Sequence, residues 1–255
     1  MAHALGIDIG GTGIKGALVD TDTGELVTDR YKLPTPKGGS PRDIVDTVAE
    51  LVGRIESLDA DVPLGVCFPA VVHHGRTMSA ANVSKEWIGL EAEKLFEERL
   101  GRDIHFVNDA DAAGFAETRY GAAKDVAGLV VLTTLGTGIG SALIYDGVLV
   151  PNSELGHLLM HGRSAEVRAS NAARERRRLS WNAWSRRLQE YYAHVEALFS
   201  PDLFVVGGGV SKHHEHFLPL LELRTPIVPA QHRNNAGILG AAALAERPVE
   251  TARQP

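Results

Sequence analysis

The chain has 255 residues, of which 44% are hydrophobic and 23% charged, the proportions of a globular protein with a substantial core. Its formal net charge of -6 argues against nucleic-acid binding by the protein as a whole. Because Cys67 is the only cysteine, the sequence excludes an intrachain disulfide and a multi-cysteine metal site, and it favours the reducing cytoplasm as the location. We find neither the features of a signal peptide nor an apolar run long enough to span a membrane.

The first half of the chain predicts alternating strands and helices. Apolar runs predict strands over 4–10, 14–20 and 26–33, joined by short turns as in an antiparallel meander. Ser40 can cap a helix over 41–58 that has Pro41 at its first position. The next predicted elements are a strand over 62–69, a helix over 90–100, a strand over 103–108 and a helix over 109–120.

A similar pattern starts again at residue 128. Residues 128–150 predict strand, glycine turn, strand, Asp-Gly turn and strand. Then follow predicted helices roughly over 164–178 and 180–199, a strand over 202–209 that runs into a glycine turn, a short strand "PIVP" and an alanine-rich helix over 236–246. Because each half begins with a strand–glycine turn–strand unit, we expect two similar α/β halves with a cleft between them.

Two glycine-rich turns, "DIGGTGIKG" (8–16) and "LGTGIG" (135–140), occupy equivalent places in the two halves. One such turn is equally well explained by a β-hairpin that needs glycine at positive φ. Two turns, each with a threonine beside glycine (Thr12 and Thr137), favour phosphate binding, since bare backbone N–H groups and a hydroxyl suit an anion. Neither turn fits the P-loop or the dinucleotide-binding fingerprint.

Two aspartates are candidates for the chemistry. Asp8 ends a buried strand beside the first turn, where it either holds, through water, a Mg²⁺ carried by a phosphoryl donor or caps backbone N–H groups. "VNDADAAG" (107–114) places Asn108 and Asp109 at the carboxyl end of a strand, where open α/β sheets bind ligands. Asp109 is either a helix N-cap or the general base that accepts the proton of an alcohol during phosphoryl transfer.

"NSELGHLL" (152–159) combines Glu154 and His157 around a glycine. This group can clamp vicinal hydroxyls with one acceptor and one donor or acceptor, or it can be half of a metal site. Each side chain taken singly is more often an ordinary surface or core residue.

The segment "VRASNAARERRR" (167–178) contains five arginines, namely Arg168, Arg174, Arg176, Arg177 and Arg178. A solvated helix face, with Glu166 and Glu175 nearby, is the favoured interpretation. The alternative is a track for a polyanion, because guanidinium groups match phosphate oxygens. Lys85, Lys212 and Arg233 are isolated candidates for the same surface.

Together, "GIDIGGTGIKG", "NDADAAG", "LGTGIGSALI", "PNSELGHL" and "FVVGGGVSK" resemble the ROK family of sugar kinases, in the actin-like ATPase clan. More narrowly, "AANVSKEWIG", "DADAAGFAETRYGA" and "LRTPIVPA" are similar to its actinobacterial polyphosphate glucokinase branch, which includes enzymes that also accept mannose. The resemblance covers about residues 5–245.

The resemblance implies a duplicated actin-like, ribonuclease H-like α/β fold with two lobes around a sugar cleft. The small N-terminal lobe would contain 1–109 and a returning helix over 236–247. The large lobe would contain 110–235, and 248–255 would be a loose tail. Many family members carry a zinc site of closely spaced cysteines after the Glu-x-Gly-His motif, but "LLMHGRSAEVRAS" has none, so we expect no structural zinc.

The resemblance also implies residue roles, with Asp109 as the base that takes the proton of the sugar 6-hydroxyl. The sugar-hydroxyl ligands would be Asn82, Asn108, Glu154, His157 and Glu166, although the missing zinc loop makes Glu166 hard to align. The phosphate-binding group would be Asp8, Gly10, Gly11, Thr12, Gly13, Lys15, Gly136, Thr137 and Gly138. Gly207, Gly208 and Gly209 match the turn that holds a nucleotide in ATP-using relatives. If the basic residues do form a polyanion track, as the alternative interpretation of the arginine-rich segment has it, the track would contain Lys85, Arg168, Arg174, Arg176, Arg177 and Lys212.

The expected activity is phosphoryl transfer from inorganic polyphosphate to the 6-hydroxyl of glucose, and of mannose as a further acceptor, with Mg²⁺ as cofactor. The alternative is an ATP-dependent glucokinase or mannokinase of the same family, which the retained "GGGVSK" supports. Sugar-responsive repressors of the family carry a DNA-binding segment before the first phosphate motif, which begins here at residue 6. We therefore expect neither nucleic acid nor membrane as a partner, and the resemblance suggests a homodimer.

Overall fold

The computed structural model describes residues 2–55, 59, 61–81 and 83–246. Asn82 and the tail predicted over 248–255 lie outside the described residues. The chain forms two compact units, one of Met1–Ala112 with Gly237–Pro255 and the other of Ala113–Ala236. That the two units act as lobes around a sugar cleft stays a prediction.

The first unit is built on a mixed six-stranded sheet. The strands of this sheet are β1 (His3–Ile9), β2 (Ile14–Asp20), β3 (Glu25–Leu26), β4 (Tyr31–Leu33), β5 (Leu64–Phe68) and β8 (His105–Asn108). A separate hairpin is formed by β6 (Val72–His73) and β7 (Arg76–Thr77). The sheet order is β3-β2-β1-β5-β8, and β4 also pairs with β2. β1 and β2 are antiparallel, whereas β5 and β8 continue parallel to β1.

The second unit repeats this layout with a five-stranded sheet. The strands of this sheet are β9 (Leu129–Leu135), β10 (Ile139–Tyr145), β11 (Val148–Val150), β14 (Leu203–Gly207) and β15 (Ile227–Pro229). A separate hairpin is formed by β12 (Leu159–Met160) and β13 (Arg163–Ser164). The sheet order is β11-β10-β9-β14-β15. Again an antiparallel pair flanks a glycine turn and parallel strands extend the sheet.

Helices complete both units. The α-helices are α1 (Pro41–Gly53), α2 (Ala92–Leu100), α3 (Asp109–Tyr120), α4 (Glu166–Ala169), α5 (Asn171–Arg176), α6 (Trp181–Phe199) and α7 (Ala236–Ala245). The 3₁₀ helices are Lys85–Trp87, Leu155–His157, Gly209–His216, Leu218–Leu220 and Arg233–Asn235. No helix in the described part of the chain has both the length and the apolar character that crossing a membrane requires.

Each unit has its own apolar core. In the first, α1 buries Ile44, Val48 and Leu51 in the same cluster as Leu5 and Ile7 of β1. In the second, the buried face of α6 contributes to the core with β9 and β14, and its members on α6 are Trp184, Leu188, Tyr191, Tyr192 and Val195. The sequence predicts both helices because their apolar residues recur at helical spacing.

Local capping signals are confirmed at α1. Ser40 precedes the helix and its Oγ accepts a hydrogen bond from Asp43 N at 3.3 Å, with Pro41 at the first position. The helix ends at Gly53, where the N–H of Arg54 donates to Leu51 O, so the prediction that it continues to residue 58 is wrong. Residues 56–58 lie outside the described residues.

Two further predicted elements are interrupted. The strand predicted over 26–33 is two short strands, β3 and β4, which both pair with β2. Between them Thr28 Oγ1 accepts the hydrogen bond of Leu18 N in β2, which interrupts the pairing of this segment with β2. The helix predicted over 164–178 is split into α4 and α5 at Ser170, which is extended and caps α5 by accepting from Ala173 N at 3.1 Å. Beyond the break, Ala172 N donates to Gly136 O at 3.0 Å instead of continuing α4.

Candidate active site

The carboxyl ends of three parallel strands bring polar side chains together in the first unit. In the register of β1, β5 and β8, Asp8 lies opposite Cys67, and Phe68 lies opposite Asn108. Asp109 follows as the first residue of α3 and is half-buried. The pKa of the Cys67 thiol is raised well above its ordinary value by burial and then by the negative charges of Asp8 and Asp109. Cys67 therefore stays a neutral thiol beside Asp8.

Asp8 contacts side chains rather than backbone amides. Its Oδ2 accepts from Lys15 Nζ at 3.1 Å, and these two residues are direct cross-strand neighbours in the β1·β2 ladder. Its Oδ1 is 3.7 Å from Sγ of Cys67, which acts as donor. The side chains of Asp8 and Lys15 remain 17% and 23% exposed. The alternative in which Asp8 caps backbone N–H groups is thus not found among the described residues.

Asn108, rather than Asp109, caps α3. Asn108 Oδ1 accepts from Ala110 N at 2.8 Å and from Asp111 N at 3.1 Å, and its Nδ2 donates to Ala70 O at 2.9 Å. The amide of Asn108 has a second N–H to offer a ligand. The N-cap alternative for Asp109 is therefore wrong, because the preceding residue already performs that function.

The two glycine turns are tight and do not use left-handed backbone. Gly10 N donates to Gly13 O at 3.0 Å, and Gly136 N donates to Gly138 O at 3.1 Å. Positive φ occurs at other glycines, and at none of Gly10, Gly11, Gly13, Gly136 and Gly138, all of which the structure describes. A Cβ at Gly136 would meet no atom within 4 Å. The explanation that these glycines are needed because a hairpin turn requires positive φ is thus wrong. At Gly136, packing does not exclude a side chain either.

Glu154, His157 and Glu166 lie together in the second unit. His157 Nε2 is 3.7 Å from Glu154 Oε2, and its Nδ1 is 3.9 Å from Glu166 Oε1. Burial raises the pKa of Glu154 above its ordinary value, with His157 opposing the shift and Glu166 adding to it. Gly156 is needed because a Cβ there would collide with the carbonyl oxygen of Ile139. The Glu-x-Gly-His group is thereby held against the start of β10.

Glu166 also touches the second glycine turn. Its Oε2 accepts from Ile139 N at 3.3 Å, and a Cβ at Gly138 would collide with that oxygen. The carboxylate that the sequence leaves hard to align thus lies beside both His157 and the turn that contains Thr137. This contact groups the predicted sugar ligands of this unit with its predicted phosphate turn.

The third glycine turn, 207–209, adjoins the second. Gly208 has φ of 80°, and a Cβ on it would lie 2.6 Å from both N and O of Leu135, the residue before Gly136. Gly207 pairs with Thr134 in the parallel ladder of β14 and β9. The predicted phosphate turn 136–138 and the predicted nucleotide turn 207–209 therefore lie side by side at the carboxyl ends of neighbouring strands, a usual place for ligands in α/β sheets.

The predicted polyphosphate residues differ in environment. The guanidinium of Arg174 lies over the Trp181 ring at 4.1 Å and its Nε donates to Asn171 Oδ1 at 3.0 Å, so Arg174 is engaged by the fold. Arg168 pairs with Glu190 at 3.2 Å. Arg176, Arg177, Lys85 and Lys212 are exposed.

Two residues near these groups were missed by the sequence analysis. Burial and the charges of Arg177 and Arg168 lower the pKa of Arg187, which lies on α6 outside the arginine-rich segment and donates to Arg168 O at 3.1 Å. Cys67 contacts Asp8 across 59 positions of sequence. Only strand register and helix packing, which no local motif encodes, bring these residues together.

Comparison with known proteins decides the family. The model of the ROK family matches residues 4–176. The chain belongs to the ROK family. A curated relative from Mycobacterium tuberculosis (strain CDC 1551 / Oshkosh), named polyphosphate glucokinase, is 48% identical over 94% of this chain and 90% of its own length.

Solved structures agree with this assignment. The inorganic polyphosphate/ATP-glucomannokinase from Arthrobacter sp. strain KM is 53% identical to this ROK chain, with a TM-score of 0.91 over 96% of this chain and 98% of its own. A ROK family glucokinase from Streptomyces griseus, solved with glucose and AMPPNP, is 25% identical, with a TM-score of 0.79 over 96% of this chain and 99% of its own. The fold is therefore the duplicated actin-like, ribonuclease H-like α/β fold.

Proposed function

We propose that this ROK chain is a polyphosphate glucokinase, which transfers a phosphoryl group from inorganic polyphosphate to the 6-hydroxyl of glucose. The observation that carries the proposal is the near full-length similarity to a curated polyphosphate glucokinase. The resemblance of the structure to that of a polyphosphate/ATP-glucomannokinase supports the same donor and adds mannose as an acceptor.

Asp109 is proposed as the general base. It stands at the carboxyl end of β8 and at the start of α3, and Asn108 relieves it of capping that helix. A carboxylate here would orient the sugar 6-hydroxyl and accept its proton late in the reaction, because the transition state of phosphoryl transfer is loose. General-base catalysis of this kind contributes about 10²- to 10⁴-fold.

The sugar is proposed to bind through Asn108, Glu154, His157 and Glu166, with Asn82 as a further ligand. The two carboxylates accept hydrogen bonds from hydroxyl groups, and the imidazole of His157 can donate or accept. Because Glu154 and Glu166 both lie within 4 Å of His157, a bound diol would replace these contacts with charge-assisted hydrogen bonds.

The donor phosphates are proposed to bind at the glycine turns and at Lys15. Kinases need a divalent metal, for which we propose Mg²⁺. Asp8 fits such an ion, because Mg²⁺ is usually held by one or two carboxylates with the substrate phosphates and the Asp8 carboxylate is partly exposed beside the first turn. Mg²⁺ would screen charge on the donor, while Lys15, paired to Asp8, adds a positive charge to the same place.

ATP is a second candidate donor. The glycine turn 207–209 matches the nucleotide turn of the family and lies directly against Leu135, beside the second phosphate turn. Both donors present the same phosphate chemistry to these backbone groups. Exposed arginines, among them Arg176 and Arg177, are proposed to extend the donor site for the longer polyanion.

The wider setting is also proposed. The two compact units are taken as the lobes of the kinase, the protein as a cytoplasmic homodimer, and glucose with polyphosphate or ATP as its partners. Nucleic acid is not proposed as a partner, given the net charge of -6.

The test measures glucose 6-phosphate formation with Mg²⁺ and either nucleotide-free polyphosphate or ATP. Activity with polyphosphate supports the proposal, and activity with ATP alone replaces it by the ATP-dependent alternative. Asp109→Asn serves as the blank for contaminating kinases, because it keeps the size and polarity of the residue but removes the base. Inactivity with both donors would contradict the glucokinase assignment.

A further inference from the structure

A cluster of histidine and glutamate side chains, none of them assigned above to sugar or donor, lies on the 3₁₀ segment Gly209–His216. One ligand atom from each of His213, Glu215 and His216 lies within 4.8 Å of the other two. We propose that these three residues form a binding site for a transition-metal ion of the zinc class. Within the residues that the structure describes, no other set of three such side chains meets this spacing.

The two imidazoles of the cluster lie close together on this segment. His213 lies at a kink in this segment, with φ of -113° and ψ of 25°, so Gly209–His216 is not one regular helix. The rings of His213 and His216 lie 27° from parallel, with centroids 6.2 Å apart. Glu215 reaches the same place, with Oε1 3.6 Å from His216 Nε2. Small side-chain rotations bring three ligand atoms around one ion.

The ligand chemistry selects the metal. Two imidazoles and one carboxylate leave a coordination position for water, which is the pattern of open zinc sites. Imidazole nitrogen favours Zn²⁺, Ni²⁺ and Cu²⁺, whereas Mg²⁺ requires oxygen ligands in octahedral geometry. The proposed site therefore does not compete with Asp8 for the Mg²⁺ of the phosphoryl donor.

Packing holds the histidines in place before any ion binds. The ring of His216 stacks on Trp181 at 5.3 Å and 27°, and the ring of His213 lies 5.9 Å from the same indole. Trp181 is itself stacked on Phe217 at 6.0 Å and lies under the guanidinium of Arg174. Because these rings are already ordered, binding an ion would cost less side-chain entropy than at mobile surface histidines.

The site is open to solvent and adjoins the proposed nucleotide turn. Glu215 and His216 are exposed and His213 is half-buried, so an ion can enter directly. The 3₁₀ segment that carries the ligands begins at Gly209, the last residue of the glycine turn 207–209. Metal binding would hold in place the 3₁₀ segment that follows the glycine turn. It would also stabilise the folded state, because the ion binds the folded chain and not the unfolded one.

The experiment uses untagged, EDTA-treated protein, so that no affinity tag binds the metal. ZnCl₂ is titrated by calorimetry in the presence of millimolar Mg²⁺, and Tm is measured with and without Zn²⁺. We expect one strong site per chain and a rise in Tm with Zn²⁺. Cu²⁺ is a second probe, because it quenches a nearby indole, and Trp181→Phe should remove that quenching while leaving Zn²⁺ binding intact.

Variants assign the binding to these side chains. His213→Gln with Glu215→Gln, and Glu215→Gln alone, should weaken Zn²⁺ binding by at least about tenfold, since even outer-shell losses cost this much. His194→Gln, an exposed histidine of α6 outside the cluster, is the matched control and should bind as the wild type does. Absence of a stoichiometric site, or equal Zn²⁺ affinity in the wild type and the double variant, would overturn the proposal. Circular dichroism verifies that each variant is folded.

Discussion

The carboxylate of Glu166 accepts a hydrogen bond from the backbone N–H of Ile139 at 3.3 Å. Through its other oxygen it lies 3.9 Å from His157 Nδ1, so one side chain touches both the second glycine turn and the Glu-x-Gly-His group. Because a charged acceptor strengthens such hydrogen bonds, Glu166 is well placed to hold the turn in the shape that a phosphate would meet.

Glu166→Ala should therefore raise KM for glucose and for polyphosphate together. A lost hydrogen bond to a charged group costs about 1.5–3 kcal/mol, so changes on the order of tenfold or more are expected. Steady-state kinetics with each substrate varied in turn measures this. Glu222→Ala, which removes an exposed carboxylate of the same unit, is the control. A rise in the KM of glucose alone would show that the contact with Ile139 does not matter to the donor.

Asp109→Asn should lower kcat by about 10²- to 10⁴-fold and leave both KM values nearly unchanged, because a base acts in the transition state rather than in binding. The amide keeps the shape of the residue but cannot accept the proton. Asp103→Asn, an exposed aspartate just before β8, provides the comparison. Near-normal turnover of Asp109→Asn would remove Asp109 from the role of base.

We expect the charged carboxylate of Glu154 to bind the sugar but to lower the stability of the folded protein. Burial raises its pKa in the folded protein, so the folded state holds the proton more tightly than the unfolded chain does. Stability from this group is then present at low pH and lost as pH rises through the ordinary glutamate pKa and up to the raised one.

Glu154→Gln should therefore raise Tm relative to the wild type at pH 7, with a smaller difference near pH 4, while the KM of glucose rises. Thermal unfolding of both proteins across this pH range tests the sign. A lower Tm of the variant at pH 7 would contradict it. If the KM of polyphosphate rose and that of glucose did not, the proposed sugar role of Glu154 would be wrong.

Substitutions of Arg174 and Arg177 should have different effects, the first on folding stability and the second on donor binding. Arg174→Gln loses a guanidinium packed on Trp181 and should reduce the free energy of unfolding by about 1 kcal/mol. Arg177→Gln changes an exposed side chain and should leave stability unchanged, while raising the KM of polyphosphate and weakening its dependence on salt. Urea unfolding and kinetics at two ionic strengths distinguish these effects. If Arg177→Gln changed nothing, the arginine-rich segment would be only a solvated face.

Local chemistry allowed much of this fold to be predicted from the sequence. Ser40 and Pro41 mark the start of α1, and α3 spans the predicted residues 109–120, because caps and helical spacing act over a few positions. The glycine turns and the restart of the pattern at residue 128 indicate a duplicated α/β fold, since each turn lies between two strands that pair directly.

Contacts between distant segments decided the rest. Thr28 Oγ1 accepts a hydrogen bond from Leu18 N at the point where a predicted strand is interrupted. Gly136 O accepts a hydrogen bond from Ala172 N at the point where a predicted helix is interrupted. Parallel register, which no spacing in the sequence records, sets Cys67 beside Asp8. The sequence by itself determined which elements form and which motifs they carry. Only the tertiary structure determined which motifs touch, because backbone hydrogen bonds and close packing depend on register between segments far apart in the chain.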